Sequence, residues 1–240
     1  MKNTHKLLIH STLVCTAMLG SAHAATALID FGLGTAAAAS PYNSAAIIAT
    51  GGTGTTGAIA LNDTDSAATG WTVTVIGAGS GNTGNAGGGA NVTAFPAGLS
   101  GFDGDALRNS IFANQGGGSN PAMTLQFSGL QSSATYDLLL YGSRANAQGV
   151  DQRWSLTEGT GGADVDQNSE LNATVFVDWA GITPNDSGII EVTINSPGPD
   201  NIGALALNFA SISENAIPEP SGVSLLGLGL GALFLRRKRA

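Results

Sequence analysis

The 240-residue chain has one cysteine, Cys15, and three histidines, His5, His10 and His23, all within its first 23 residues. That opening stretch has the layout of a cleavable secretory signal (residues 1–24). Lys2 and Lys6 precede an apolar core from Leu7 to Leu19, and Ser21 to Ala24 form a small-residue site. Cleavage is expected between Ala24 and Ala25. The exported chain then has neither imidazole nor thiol. This excludes a Ser-His-Asp triad, a cysteine nucleophile, zinc held by His or Cys, and any disulfide within the chain.

Positive charge is the second shortage. Between Ala25 and Ile217 the cations are Arg108, Arg144 and Arg153, against sixteen carboxylates, a net of −13. Every lysine lies in a terminal segment. Such a body repels nucleic acid and anionic lipid, whose binding needs clustered cations, so no nucleic-acid partner is expected. It suits solubility, divalent cations or neutral polymers. Lys and Glu, which favour helices, are scarce, while Gly, Thr, Ser, Asn and Ala dominate.

What is present alternates with a period of two. "WTVTVI" (Trp71 to Ile76), "AMTLQF" (Ala122 to Phe127), "TYDLLLYG" (Thr135 to Gly142) and "RWSLT" (Arg153 to Thr157) each put apolar residues on one side. "TVFVDW" (Thr174 to Trp179), "IIEVTI" (Ile189 to Ile194) and "ALALNFASI" (Ala204 to Ile212) continue the series, with shorter candidates at Ala27 to Gly32 and Ala58 to Asn62. Gly, Asn, Asp and Pro lie between them. The pattern predicts an all-β antiparallel sandwich over residues 25–213. One short helix is expected over Asp105 to Asn114, with Asp105 as N-cap and Leu107, Ile111 and Phe112 as its apolar stripe. Residues 77–89 read as a Gly/Asn loop, including "GSGNTG" (Gly79 to Gly84), which no helix follows as nucleotide binding would require.

Chemistry-bearing candidates are few. Asp164, Asp166 and Asn168 in "DVDQNSE" supply oxygen ligands of the type Ca²⁺ uses. The EF-hand pattern fails there, since Ser169 replaces the turn glycine and Val175 the bidentate Glu, so a solvated acidic loop is favoured. No cofactor is expected, with a structural Ca²⁺ left open. Sugar rings stack on aromatic faces, and Trp179, at a strand end beside a loop, is the tryptophan best placed for that. Trp154 shares a face with Leu156, and Trp71 alternates with core valines. Arg144 ends a strand in "YGSR", where a salt bridge to Asp137 or Asp151 competes with ligand contact. Catalytic residues are not assigned: sixteen carboxylates allow any pair to be nominated for glycoside hydrolysis, and none stands out.

The C-terminus has three parts in order. Pro218-Glu219-Pro220 lies in a linker (residues 214–221), an apolar run follows from Gly222 to Leu235, and Arg236, Arg237, Lys238 and Arg239 open a basic tail (residues 236–240). This resembles the PEP-CTERM sorting signal of exopolysaccharide-producing Gram-negative bacteria. The resemblance implies recognition of Pro218, Glu219 and Pro220 by a membrane-embedded exosortase, with the four cations as stop element. The partners it implies are the secretory translocon, exosortase and exopolysaccharide. Physically, the apolar run would stall translocation and the cations would stay cytoplasmic. Fourteen apolar residues make only about 21 Å of helix, short of a bilayer core of roughly 30 Å, which suits a temporary anchor with the body periplasmic, then released to the cell surface or medium. "LIDFG", "YDLLLYGSR" and "LALNFASIS" resemble jelly-roll sandwiches of exported proteins, which often bind carbohydrate. A non-enzymatic, polysaccharide-associated protein is the leading expectation, with a carboxylate hydrolase or lyase and a purely structural matrix component as alternatives.

Overall fold

The computed structural model describes residues 24–32, 39–45, 57–77, 80–82, 94–114, 122–144, 151–197 and 204–215. The signal sequence before Ala24, the Pro218-Glu219-Pro220 motif, the apolar run and the basic tail lie outside the described residues. The first strands are β1 (Thr26–Asp30), β2 (Tyr42–Ser44), β3 (Ile59–Asn62), β4 (Ala68–Ile76) and β5 (Ser80–Asn82). A 3-10 turn (Ala97–Leu99) and the helix α1 (Gly104–Arg108) lead into β6 (Ser110–Asn114), β7 (Ala122–Ser128) and β8 (Tyr136–Tyr141). There follow β9 (Asp151–Glu158), β10 (Val165–Asn168), β11 (Val177–Ile182), β12 (Ile190–Asn195), β13 (Ala204–Leu207) and β14 (Phe209–Glu214).

The described residues are therefore mostly β, with one short helix among them. Its sheets have the orders β11-β8-β14-β1-β2, β10-β9-β12-β7-β4-β3 and β13-β6-β5. Among these pairings β1 and β2 run parallel and the others antiparallel. Alternation decides which face is buried. Strand β4 buries Trp71, Val73 and Val75, β7 buries Met123, Leu125 and Phe127, and β12 buries Ile190, Val192 and Ile194. Ala27, Ile29, Leu138, Leu140, Ala210 and Ile212 of the five-stranded sheet join the same apolar cluster. Trp71 and Tyr136 meet across it edge to face, with ring centroids 5.5 Å apart.

Asn208 breaks what reads as one strand into β13 and β14. Its N–H donates to Tyr141 O (2.9 Å) and its carbonyl accepts from Phe31 N (3.0 Å). Its side chain accepts from Ser143 N at 2.7 Å and donates to Leu107 O at 2.9 Å. Buried and bonded through its N–H, its carbonyl and both ends of its side-chain amide, it fixes the point where the chain leaves the three-stranded sheet for the five-stranded one. Beside it Gln152 acts as a strand partner for Ala206, donating to its carbonyl (3.1 Å) and accepting from its N–H (2.9 Å). Gly142 is required at that junction, because a Cβ there would lie 2.2 Å from Ala206 O.

Several expected boundaries move. The helix expected over Asp105 to Asn114 stops at Arg108, and Asp103, not Asp105, is its N-cap, accepting from Asp105 N at 2.8 Å. Asn109 turns extended and donates to both carboxylate oxygens of buried Asp30 (3.0 and 3.2 Å), which releases Ile111 and Phe112 into β6. "TVFVDW" becomes strand only at Val177, because the Asn172 side chain accepts from Thr174 N and Val175 N in a turn. The expected loop at 77–89 contains β5.

Candidate functional site

The five-stranded sheet is covered on its outer face as well as its inner one. Leu28, Tyr141 and Phe209 point outward from β1, β8 and β14, and residues 94–109 run across them as a strap. Leu99, Ala106 and Leu107 are the buried side of that strap. Its sequence suits the task. Asp103 caps α1, while Gly98 lets the strap reach Phe176, whose ring a Cβ would meet at 2.5 Å. Tyr42 Oη accepts from Asp103 N at 2.7 Å, tying β2 to the strap.

Around this buried floor stand four rings that are only partly buried: Tyr42, Phe95, Phe102 and Phe176. Phe102 packs on Phe209 with centroids 4.6 Å apart, Tyr42 lies 6.2 Å from the same ring, and Phe95 approaches Tyr141 at 6.4 Å. Phe176 precedes β11 and Tyr42 begins β2, the two edges of the sheet. Four strand spacings separate them, about 19 Å. The Arg108 guanidinium lies 5.7 Å from the centre of the Phe95 ring and 3.4 Å from Asp105 Oδ1. In a chain with few aromatics, this gathers rings, one cation and two carboxylates on one surface. Burial pushes the Tyr42 hydroxyl above its ordinary pKa, so it is neutral at any physiological pH.

Sequence reasoning did not select this surface. Its four partly buried aromatics come from three separated segments, and the one local signal is the pair of phenylalanines in the Gly/Pro-rich stretch "AFPAGLSGF" (Ala94 to Phe102).

The tryptophan expected to be exposed is not. Trp179 is 5% accessible, its N–H donates to Ala163 O at 2.8 Å, and Gly162 covers its ring. The strand also runs on to Ile182, so Trp179 does not end it but lies within β11, facing the core with Val177. Trp154 is fully buried. Arg144 is buried too, with its guanidinium 4.4 Å above the Phe112 ring, and burial lowers its pKa. Of the two acids proposed as its partner, Asp137 sits at the opposite end of β8, accepting from Gly181 N and Asn215 Nδ2. Asp151 accepts from Asn168 Nδ2 at 2.9 Å.

Asp164, Asp166 and Asn168 fall not in a loop but at and along the edge strand β10. Both oxygens of Asp166 take a guanidinium fork from Arg153, at 2.6 and 2.8 Å. That hydrogen-bonded pair holds the Asp166 carboxyl below its usual range and raises Arg153. With Asp151, Gln167, Asn168 and Pro197, Asp166 lines an open recess of about 240 Å³. A glycosidase acid needs a raised pKa, and Asp166 shifts the other way. Among the described residues no three His, Cys, Asp or Glu groups cluster as a metal site.

Comparison with protein-family models, with curated proteins and with solved structures finds no match.

Proposed function

We propose that this is an exported, non-enzymatic protein of the cell surface or extracellular matrix that associates with polysaccharide through the aromatic surface over the five-stranded sheet. The observation that carries the reading is the half-open row Tyr42, Phe102, Phe95 and Phe176. Pyranose rings present C–H faces that pack on aromatic π-faces, and rings spread across the width of a five-stranded sheet suit a polymer rather than a small molecule. Export and sorting rest on the terminal segments: a secretory signal ending at Ala24, and a tail in which exosortase would read Pro218, Glu219 and Pro220.

The finer fold belongs to the same proposal. Eight strands pair in nested fashion: β1 with β14, β7 with β12, β8 with β11, and β9 with β10. One long antiparallel ribbon folded over on itself would make those four pairs, which supports a jelly-roll-like sandwich. On this reading the β3–β4 hairpin and β2 are additions at its edges.

Affinity electrophoresis of the purified protein through gels containing exopolysaccharide tests the binding. Retardation is expected, and Phe95→Ala and Phe102→Ala should remove it while circular dichroism stays unchanged. Equal mobility with and without polymer sinks the reading. For sorting, the C-terminal mass of protein recovered from the medium should end near Pro218 to Ser221, and an intact C-terminus in the membrane would mean a permanent anchor.

A further inference from the structure

The three cations of the exported body are not equivalent. Arg153 commits two donors to one carboxylate, and Arg144 is buried against Phe112. Arg108 is different: its side chain is 40% accessible, and among the described residues it makes one hydrogen bond, at the long distance of 3.4 Å, to Asp105. A guanidinium has five N–H donors, so most of this fork is open. It is held in place nonetheless, flanked by the Phe95 ring and by Gly104, where a Cβ would come within 3.6 Å of it. The open fork therefore stands beside the aromatic row.

We infer that Arg108 makes this surface selective for polysaccharide bearing carboxylates, of the uronic-acid type, over its uncharged counterpart. This rests on the polysaccharide reading above and adds the ligand's charge to it. The planar fork matches a carboxylate in two-bond geometry, and its place 5.7 Å over the Phe95 ring takes up none of its N–H donors in hydrogen bonds. Asp103 and Asp105 lie alongside, and the body carries −13. Those charges disfavour a dense polyanion, so the ligand has isolated carboxylates on an otherwise neutral chain.

The test uses one polymer in two forms, a uronic-acid-containing glycan and the same glycan with its carboxyls reduced to alcohols. Binding of the intact purified protein to both is measured by titration calorimetry. The native protein should bind the carboxylated form about tenfold more tightly, the scale of one charge-assisted contact. Arg108→Gln should bring the ratio of the two affinities down to about one. Equal affinity of the native protein for both forms, or a preference surviving in Arg108→Gln, overturns the inference while leaving the stacking surface intact. Failure of both polymers to bind overturns the polysaccharide reading itself. Asp105→Ala removes the one hydrogen-bond acceptor that Arg108 has among the described residues and should raise the preference, and a fall would count against the fork as reader.

Discussion

Asn208 shows how one side chain settles a boundary that local pattern leaves open. In the run "ALALNFASI" it occupies a place where alternation asks only for continuity, yet its amide satisfies Ser143 N and Leu107 O together. Asn208→Ala leaves both backbone groups buried without partners. The expected cost is about 3 kcal/mol, measured by urea denaturation. A loss below roughly 1 kcal/mol would mean that water replaces both bonds. Tyr141 gives a pH signature at the same scale. Burial pushes its hydroxyl up to about 12, and the hydroxyl donates to Asn172 O at 2.5 Å. The neutral form is the one the fold prefers. Its stabilisation is complete below the ordinary tyrosine value near 10 and is lost as pH rises through about 12. Absorbance titration should show tyrosinate forming late, together with unfolding, and Tyr141→Phe should move the alkaline unfolding upward. Asp166 acts in the opposite sense. Its lowered pKa gives stability that is present above the usual carboxylate value and fades as pH falls through its own. Asp166→Asn should flatten that acid slope in a series of thermal melts.

At the scale of elements, the strap is the clearest target. Leu99 is fully buried beneath it, so Leu99→Ala should cost about 3 kcal/mol in urea denaturation with an unchanged m-value. If the strap instead opens independently of the sheets, m will fall. The strands β4, β7, β8, β9 and β12 were legible in the sequence, because each half-buried strand writes its burial as alternation. The helix end at Arg108 was not legible, since Asn109 leaves the helix for a carboxylate on β1, distant in sequence. Nor was the aromatic surface. Tyr42, Phe95, Phe102 and Phe176 carry no shared spacing, and only the sheet order together with the strap that crosses it brings them side by side. The inward turn of Trp179 follows from alternation with Val177 in a strand that continues past it to Ile182, an extension that the residues after Trp179 do not announce by alternation.

At the scale of the molecule, the first and last strands lie together in the middle of one sheet. Thr26 registers with Ser213 and Asp30 with Phe209, and Glu214 N donates to Ala25 O at 2.9 Å. The fold is thus incomplete until its last strand is made. Ending the chain at Asn208 should abolish cooperative unfolding, whereas ending it at Asn215 should leave the melting temperature unchanged. If the shorter chain still melts cooperatively, β14 is dispensable. The same pairing gives the body a mechanical direction. Both ends of the described body leave from the same end of that pair, so opposite pulls on them open its five register pairs one after another, as a zipper opens. The aromatic surface sits over the far end, at Phe209 and Tyr141, so load taken there against a hold on the C-terminus stresses the rungs along β14 together. Single-molecule pulling should find a higher unfolding force between the strap and the C-terminus than between the two termini. A body held by its last strand would therefore resist drag on a bound polymer better than drag on its own first residue.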